Sequence, residues 1–178
     1  MVNINISYLP SHEIKSNQTY FFDNNIWMFL FCPIGNTNQN KQQKIANFLS
    51  NLISRNCSII VNSLILSEFS NAYLRLDYEL FKKEGNFNAK FKKDYFYTDR
   101  SKNTRLAITS SLKQIDKVSE RYSDQYNAIN VDNIFTKYLI IDYNDSYFLE
   151  LCEKNDWIFV TDDNDFDTLK STLTIIKP

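Results

Sequence analysis

The sequence predicts an α/β fold, with a central, mostly parallel sheet flanked by helices. The first observation behind this prediction is that short runs of β-branched and aromatic residues alternate with segments whose apolar residues recur at helical spacing. One run, Trp157–Thr161, is apolar up to its final threonine, which is typical of a strand buried on both faces of a parallel sheet. The chain has 178 residues, 43% of them hydrophobic. We therefore expect one domain over residues 1–178 with a substantial core.

In the N-terminal half, the sequence predicts three strands and three helices. The strands are Ile4–Tyr8, Thr19–Phe22 and Cys57–Val61. The helices are Ile26–Phe31, about Lys44–Ser54, and a third that carries apolar residues from Leu64 to Leu76, with a polar loop at Asn36–Gln43. Pro33 and Gly35 end the first helix, and Asn62 or Ser63 can cap the third.

The C-terminal half continues the alternation. A helical segment is predicted through Leu106–Tyr126, followed by a strand at Tyr138–Ile141 and a helix at Ser146–Lys154. After the strand Trp157–Thr161 come a turn or short helix at Phe166–Ser171 and a last strand at Thr172–Ile176.

Basic and aromatic residues interleave between Phe81 and Arg105, where we expect a helical insertion. Three acids oppose eight bases: Lys82, Lys83, Lys90, Lys92, Lys93, Arg100, Lys102 and Arg105. Such a segment is either a solvated helix face or a nucleic-acid-binding surface. In the second case unpaired bases could stack on Phe87, Phe91, Tyr95 or Tyr97.

Several classes of protein are disfavoured. The three cysteines are widely spaced and have only His12 as a co-ligand, so neither a disulfide framework nor a zinc site is indicated. The longest apolar run, Ile26–Cys32, is far too short to span a bilayer. The N-terminus has no secretory pattern. We expect a cytoplasmic protein without a membrane partner.

Four acids occupy comparable positions in the predicted fold. Asp23 and Asp163 follow strands, Asp145 opens a helix, and Glu68 lies in the second turn of the helix after Val61. The carboxyl ends of parallel strands meet at one edge of a sheet, so these side chains could converge there. Crowded carboxylates repel unless they bind a cation, and oxygen ligands favour Mg²⁺ or Mn²⁺. The pattern thus indicates metal-assisted hydrolysis of a phosphate ester.

Structural roles remain open for most of these acids. Asp23 and Asp145 could each simply cap a helix, and Asp142 could be a spare ligand or a loop cap. Asp165 could be a turn residue. Glu68 lies on an otherwise apolar helix face, where an ionised carboxylate is rarely found without a partner.

Three segments resemble the ordered motifs of the PIN-domain nucleases, the fold of the VapC toxins. They are FFDNNIW at Phe21–Trp27, LSEFSNAYLR at Leu66–Arg75 and DSYFLELCEKNDWIFVTDDNDF at Asp145–Phe166. The resemblance implies a PIN-like fold. It departs from the family pattern at Asn155-Asp156, where a glycine is usual before the last of these strands, and in the long basic segment.

On this resemblance the catalytic and metal-binding acids are Asp23, Glu68, Asp145 and Asp163. Asp165 would be a further acid at the metal site, Asn25 the small polar residue after the first acid, and Thr161 a hydroxyl that orients an acid.

The implied activity is an Mg²⁺- or Mn²⁺-dependent endoribonuclease acting on single-stranded or structured RNA. A VapC-like toxin would also have an antitoxin partner and form a homodimer. The alternative is a catalytically silent PIN-like module that binds RNA or acts as a scaffold. A haloacid-dehalogenase-type phosphatase is disfavoured because Asn25 stands where that class needs an aspartate, and a receiver domain because no suitable lysine is present.

Overall fold

A computed structural model describes residues 5–9, 11–35, 38–168 and 172–178. Its centre is a six-stranded sheet in the order β1-β6-β5-β2-β3-β4, and each neighbouring pair is parallel. The strands are β1 Asn5–Tyr8, β2 Thr19–Phe22, β3 Ser58–Val61, β4 Glu120–Arg121, β5 Ile158–Val160 and β6 Thr174–Lys177. The predicted parallel α/β sheet is confirmed.

Helices connect and flank the strands. They are α1 Asn24–Phe31, α2 Gln39–Ser54, α3 Ser63–Lys83, α4 Asp99–Val118, α5 Val131–Tyr138 and α6 Tyr143–Asn155. Shorter helical pieces are the 3₁₀ turns Pro33–Gly35 and Asp165–Thr168 and the π-helical segment Phe91–Tyr95. Across these ranges none of the helices is both long enough and apolar enough to cross a membrane.

The core is densest around the two central strands. All three residues of β5 are buried, as the uninterrupted apolar run predicts. Phe21 of β2 packs against Phe148 of α6 and Phe159 of β5, with ring centroids 5.1 and 6.2 Å apart. This aromatic contact fixes α6 against the sheet, and α6 carries one of the predicted site residues.

One predicted boundary is wrong because a capping residue extends the helix. α2 begins at Gln39, since the Asn38 side chain accepts a hydrogen bond from the Lys41 amide, so the loop predicted through Gln43 is shorter. α3 contains the predicted apolar residues from Leu64 to Leu76 and continues to Lys83. The predicted turn or short helix at Phe166–Ser171 matches the 3₁₀ turn as far as Thr168, and residues 169–171 lie outside the described ranges.

The strand predicted at Tyr138–Ile141 is wrong. The helix α5 ends at Tyr138, and a turn follows in which Leu139 is 86% and Ile140 62% exposed. Lys137 ties α5 to α6 through ion pairs with Glu150 and Glu153, at 2.6 and 2.7 Å, and this pairing favours a helix here. An apolar run of four residues therefore did not signify a buried strand.

The edge strand comes from a segment predicted to be helical. The helix predicted through Tyr126 ends at Val118, and Glu120 and Arg121 pair with Ile60 and Val61 of β3. Two charged residues carry almost no strand propensity. Sheet pairing with β3 decides their conformation.

Candidate active site

The register of the sheet fixes the position of Asp23 relative to Thr161. Phe22 of β2 pairs with Val160 of β5, so Asp23 and Thr161 follow these strands side by side. The Asp23 amide donates a hydrogen bond to the Val160 carbonyl at 2.9 Å. The edge in question is the carboxyl end of the parallel strands, where open α/β sheets place their ligands.

Asp23 is 5% exposed, and three donors hold its carboxylate. Oδ1 accepts the Asn24 amide at 2.5 Å, while Oδ2 accepts Thr161 Oγ1 and Asn25 Nδ2, both at 2.6 Å. Asp23 therefore caps α1 and is also fixed in orientation by two side chains. Since a carboxylate has about four lone-pair sites, one remains open.

The loop after β5 is fixed by the same groups. Thr161 Oγ1 accepts the Asp163 amide at 3.0 Å, and Asn25 Oδ1 accepts the Asp162 amide at 3.0 Å. Asp162 itself forms an ion pair with Lys41 of α2 at 2.7 Å. Asp163 is thereby held next to Asp23, with Asp162 turned to a different partner.

Glu68 reaches the same edge from α3. Asn62 follows β3 and accepts the Ile65 amide at 3.0 Å, which begins the helix where the strand ends. Glu68 lies in the second turn and is half-buried. Its Oε2 accepts a hydrogen bond from Asn144 Nδ2 at 3.2 Å, which links α3 to α6.

Asp145 lies at the N-terminus of α6, but it does not begin the helix as the sequence predicts. The cap is Asp142, whose Oδ1 accepts the Asp145 amide at 2.9 Å, so the cap role considered for Asp142 is present. Because α6 leads directly into β5, the N-terminus of α6 lies at the edge where β5 ends. Asp145 thus reaches the site although the strand predicted before it does not exist.

The acids form one electrostatic cluster. Burial raises the pKa of Asp23 to about 6, with a further upward contribution from Asp163. Burial and the charge of Asp23 raise the pKa of Glu68 to about 7. Burial and the charges of Asp23, Asp142, Glu68 and Asp163 raise the pKa of Asp145 to about 8. Each carboxylate is destabilised in its charged form by the others, and a bound cation would reverse that effect.

Solved structures provide the comparison with known proteins. The chain matches a chain of the crystal structure of VapBC2 from Rickettsia felis bound to a DNA fragment from their promoter, with a TM-score of 0.54 and 17% identity over 90% of this chain and 98% of that one. The chain has a PIN/VapC-like fold. It also matches PAE2754 from Pyrobaculum aerophilum, with a TM-score of 0.45 and 14% identity over 89% and 83% of the two chains. Neither the known family models nor the curated proteins give a match.

The PIN-like fold predicted from the motifs is confirmed, and two details of the resemblance have a clear geometric counterpart. Thr161 donates to the Asp23 carboxylate, as a hydroxyl that orients an acid would. Asp156, where a glycine is usual, adopts a left-handed conformation with φ 55° and caps α6. Aspartate tolerates this conformation better than most residues do, so the glycine is dispensable.

The oxygen donors at this edge of the sheet fit a hard divalent cation. All are carboxylate or amide oxygens, and Asn24 Oδ1 is buried without a hydrogen-bond partner among the described residues, in the same groove as Glu68. Within residues 5–9, 11–35, 38–168 and 172–178, no three His, Cys, Asp or Glu side chains are arranged to hold an ion as they stand. The fold brings the acids to one edge without closing a coordination shell.

Asp165 has a different position from the four acids. It begins the 3₁₀ turn after β5 and is exposed, and its amide donates to Asp163 Oδ1 at 2.9 Å. The turn role considered from the sequence is thus present, and a role in metal binding stays a prediction.

The predicted nucleic-acid-binding residues fall into two groups. Arg100 is committed to the fold through Asp77 and Glu84, and Arg105 stacks on Phe96. Lys82 pairs with Glu79, and Lys102 with Asp99. The exposed lysines for which no ion pair is seen in the described ranges are Lys83, Lys90, Lys92 and Lys93.

Among the aromatic residues proposed to stack on bases, Tyr95 is fully buried and donates a hydrogen bond to Asp77, so it is unavailable. Phe87 and Tyr97 are about three-quarters exposed, at 74% and 73%. Sequence reasoning missed Asn144, which orients Glu68. Its position next to Asp145 is the only signal the sequence offers.

Proposed function

We propose that this protein is a metal-dependent endoribonuclease that hydrolyses phosphodiester bonds in RNA. The observation that carries the proposal is the cluster of Asp23, Glu68, Asp145 and Asp163 at one sheet edge, reached from separate segments of the chain. Carboxylates with raised pKa values in a PIN-like fold are typical of a site that functions with a cation. The resemblance of the motifs to the PIN nucleases supports the same conclusion.

The four acids would hold Mg²⁺ or Mn²⁺, with Asp165 adjacent to Asp163. A divalent ion in such a site activates water and offsets the charge of the phosphate. The side chains around it have defined roles: Thr161 and Asn25 fix Asp23, and Asn144 fixes Glu68, so these carboxylates are presented in one orientation. By family resemblance the products carry 5′-phosphate and 3′-hydroxyl ends.

An acidic centre repels RNA, so cations elsewhere must hold the phosphates. Exposed Lys83, Lys90, Lys92 and Lys93 are suited to this role, and Lys82, Arg100, Lys102 and Arg105 support it less directly because they have other contacts. The charge of the first group supports single-stranded or structured RNA as the substrate.

We further infer that the protein is the toxin of a toxin–antitoxin pair and forms a homodimer. An antitoxin would cover the acidic edge. The surface of α5 and the following turn exposes five large apolar side chains: Phe135, Tyr138, Leu139, Ile140 and Tyr143. Solvent-exposed apolar clusters of this kind mark protein–protein interfaces, and we assign this one to the second copy of the chain.

The alternative is a silent PIN-like module that binds RNA or acts as a scaffold, which the open arrangement of the acids favours. Cleavage separates the two. A labelled single-stranded RNA is incubated with the native chain, with Mg²⁺ or Mn²⁺ and with EDTA. Cutting that requires the ion and is lost in Asp23→Asn and Asp163→Asn supports the nuclease.

The matched control is Asp156→Asn, the same chemical change at an exposed position on the opposite edge of the sheet, where asparagine also tolerates the left-handed conformation. It is expected to cut RNA as the native chain does. Equal cutting by the native chain and by the Asp23 and Asp163 variants would contradict the proposal, and RNA binding without any cutting would favour the silent module.

A further inference from the structure

A small cavity lies beside α3, away from the acids. Its volume is about 340 Å³, at the lower end of ligand sites. The lining residues are Asn71, Leu74, Arg75, Tyr78, Glu79 and Phe91. The rings of Tyr78 and Phe91 meet edge to face with centroids 5.2 Å apart and form an aromatic wall between α3 and the π-helical segment.

This cavity adjoins a second one that reaches Glu68. A neighbouring cavity of about 430 Å³ is lined by Glu68 and Asn144, and Asn71 and Arg75 line both cavities. Residues 68, 71, 75 and 78 are three or four positions apart, so they lie on one face of α3. At the rise of an α-helix, Arg75 and Tyr78 are roughly 10 and 15 Å along the axis from Glu68.

We refer to the two cavities along α3 together as the α3 groove. Arg75 is suited to bind a phosphate in this groove. It is exposed, and it forms no ion pair with the residues of the described ranges. Arg100, in contrast, is held by Asp77 and Glu84. A free guanidinium binds phosphate through two parallel hydrogen bonds.

The charges around the aromatic wall also favour a polyanion. Lys90, Lys92 and Lys93 are exposed on either side of Phe91 in the sequence. Glu79, the one acid in the lining, pairs with Lys82 at 2.7 Å, which offsets its charge. Aromatic faces combined with cations are the features of sites for single-stranded nucleic acid.

We propose that this groove along α3 binds the substrate strand next to the cleavage position. An unpaired base packs against Tyr78 and Phe91, and the backbone phosphate between that base and the acidic centre binds Arg75. The proposal rests on the proposed ribonuclease function. Since a base in a duplex is stacked and paired, the groove selects RNA that is single-stranded at this position.

Binding to a protein that cannot cut tests the groove separately from catalysis. The Asp163→Asn chain is titrated in Mg²⁺ with a short fluorescein-labelled RNA, in which one abasic nucleotide is moved along the strand. We expect one abasic position to weaken binding by about tenfold, because base–aromatic stacking is lost there.

The same series of abasic RNAs is then titrated into a chain that carries both Asp163→Asn and Phe91→Ala. The comparison of the two chains is decisive. Binding of the intact RNA falls, and the abasic nucleotide at that position has no further effect, because its partner is gone. Asn71→Trp, at an exposed position between the two cavities, is expected to narrow the groove and weaken binding without disturbing the core. Circular-dichroism melting checks that each variant is folded.

Arg75→Ala is compared with Arg55→Ala. The control removes the same charge from a residue before β3, at the amino ends of the strands and away from the acids. We expect weaker binding only for Arg75→Ala. Two results would overturn the proposed groove even if the native chain cuts RNA. One is an abasic nucleotide that still weakens binding in the Phe91→Ala chain. The other is RNA binding by the Asn71→Trp and Arg75→Ala chains that is as tight as in their controls. Position-dependent binding in a chain that never cuts would support the groove and refute the nuclease.

Discussion

Two carboxylates on α3, Glu68 and Asp77, stand in opposite environments. Burial alone would raise the pKa of Asp77, but hydrogen bonds from Arg100, Thr104 and Tyr95 lower it below its ordinary value. Glu68 has one amide donor, and burial together with the charge of Asp23 raises its pKa to about 7. One helix thus carries both a fully paired acid and an acid surrounded by other acids.

The difference separates a carboxylate that the fold pairs, Asp77, from one that it leaves among other acids, Glu68. The Asp77 cluster joins α3 to α4 and the π-helical segment, and its charges are balanced by the chain itself. In the part of the chain that the structure describes, no ion pair balances Glu68 or Asp145, and a bound cation would compensate their charge.

Glu68→Gln should have the largest effect on activity. Loss of a metal-binding carboxylate is expected to reduce RNA cleavage by at least about a hundredfold, while the melting temperature stays unchanged or rises because a repelling charge is gone. Gel assays of cleavage and circular-dichroism melting measure the two quantities. A large loss of stability would show that Glu68, like Asp77, holds the fold together.

Asp77→Asn should have the opposite effect. Arg100 would lose its buried partner, and the free energy of unfolding is expected to fall by about 2 to 3 kcal/mol. Urea denaturation measures this change. Cleavage per folded molecule should be retained, and a selective loss of cleavage without loss of stability would contradict the structural assignment.

The metal-free protein should become less stable as the pH rises from about 4 to about 8. Asp23, Glu68 and Asp145 have folded-state pKa values of about 6, 7 and 8, above their ordinary values near 4. The folded chain therefore binds more protons than the unfolded chain in this window, and each deprotonation favours unfolding.

Thermal melting at several pH values in EDTA measures this slope. Asp145→Asn should flatten it and stabilise the protein at pH 8 by about 1 kcal/mol, a value that allows for the partial exposure of this side chain. Mg²⁺ should stabilise the native chain most at high pH. Stability that rises from pH 5 to pH 8 without metal would contradict the cluster.

The smallest effect on the fold is expected from a substitution that introduces a charge into the apolar surface of α5 and the following turn. Leu139→Glu should convert a homodimer to a monomer and change stability by no more than about 0.5 kcal/mol, since Leu139 is 86% exposed. Size-exclusion chromatography with light scattering measures the mass. Leu106→Glu, on α4 and 69% exposed, is the matched control and should leave the mass unchanged. A native chain that is already monomeric would refute the homodimer.

The sequence predicted those parts of the molecule that depend on local pattern. β2 and β5 followed from continuous apolar runs, and α3 from its cap at Asn62 and its apolar spacing. The errors occurred where a pattern had two readings. The run Tyr138–Ile141 resembles a strand, but the ion pairs of Lys137 with α6 favour a helix and a turn there.

The sequence by itself determined a parallel α/β chain and the order of the acids along it, because periodicity and strand ends are local properties. Tertiary structure decided which acids are paired: α3–α4 packing gave Asp77 its arginine, and the junction of β2, β5, α3 and α6 left Glu68 and Asp145 facing other carboxylates. The physical reason is that charge balance depends on distances through space, between side chains far apart in the chain.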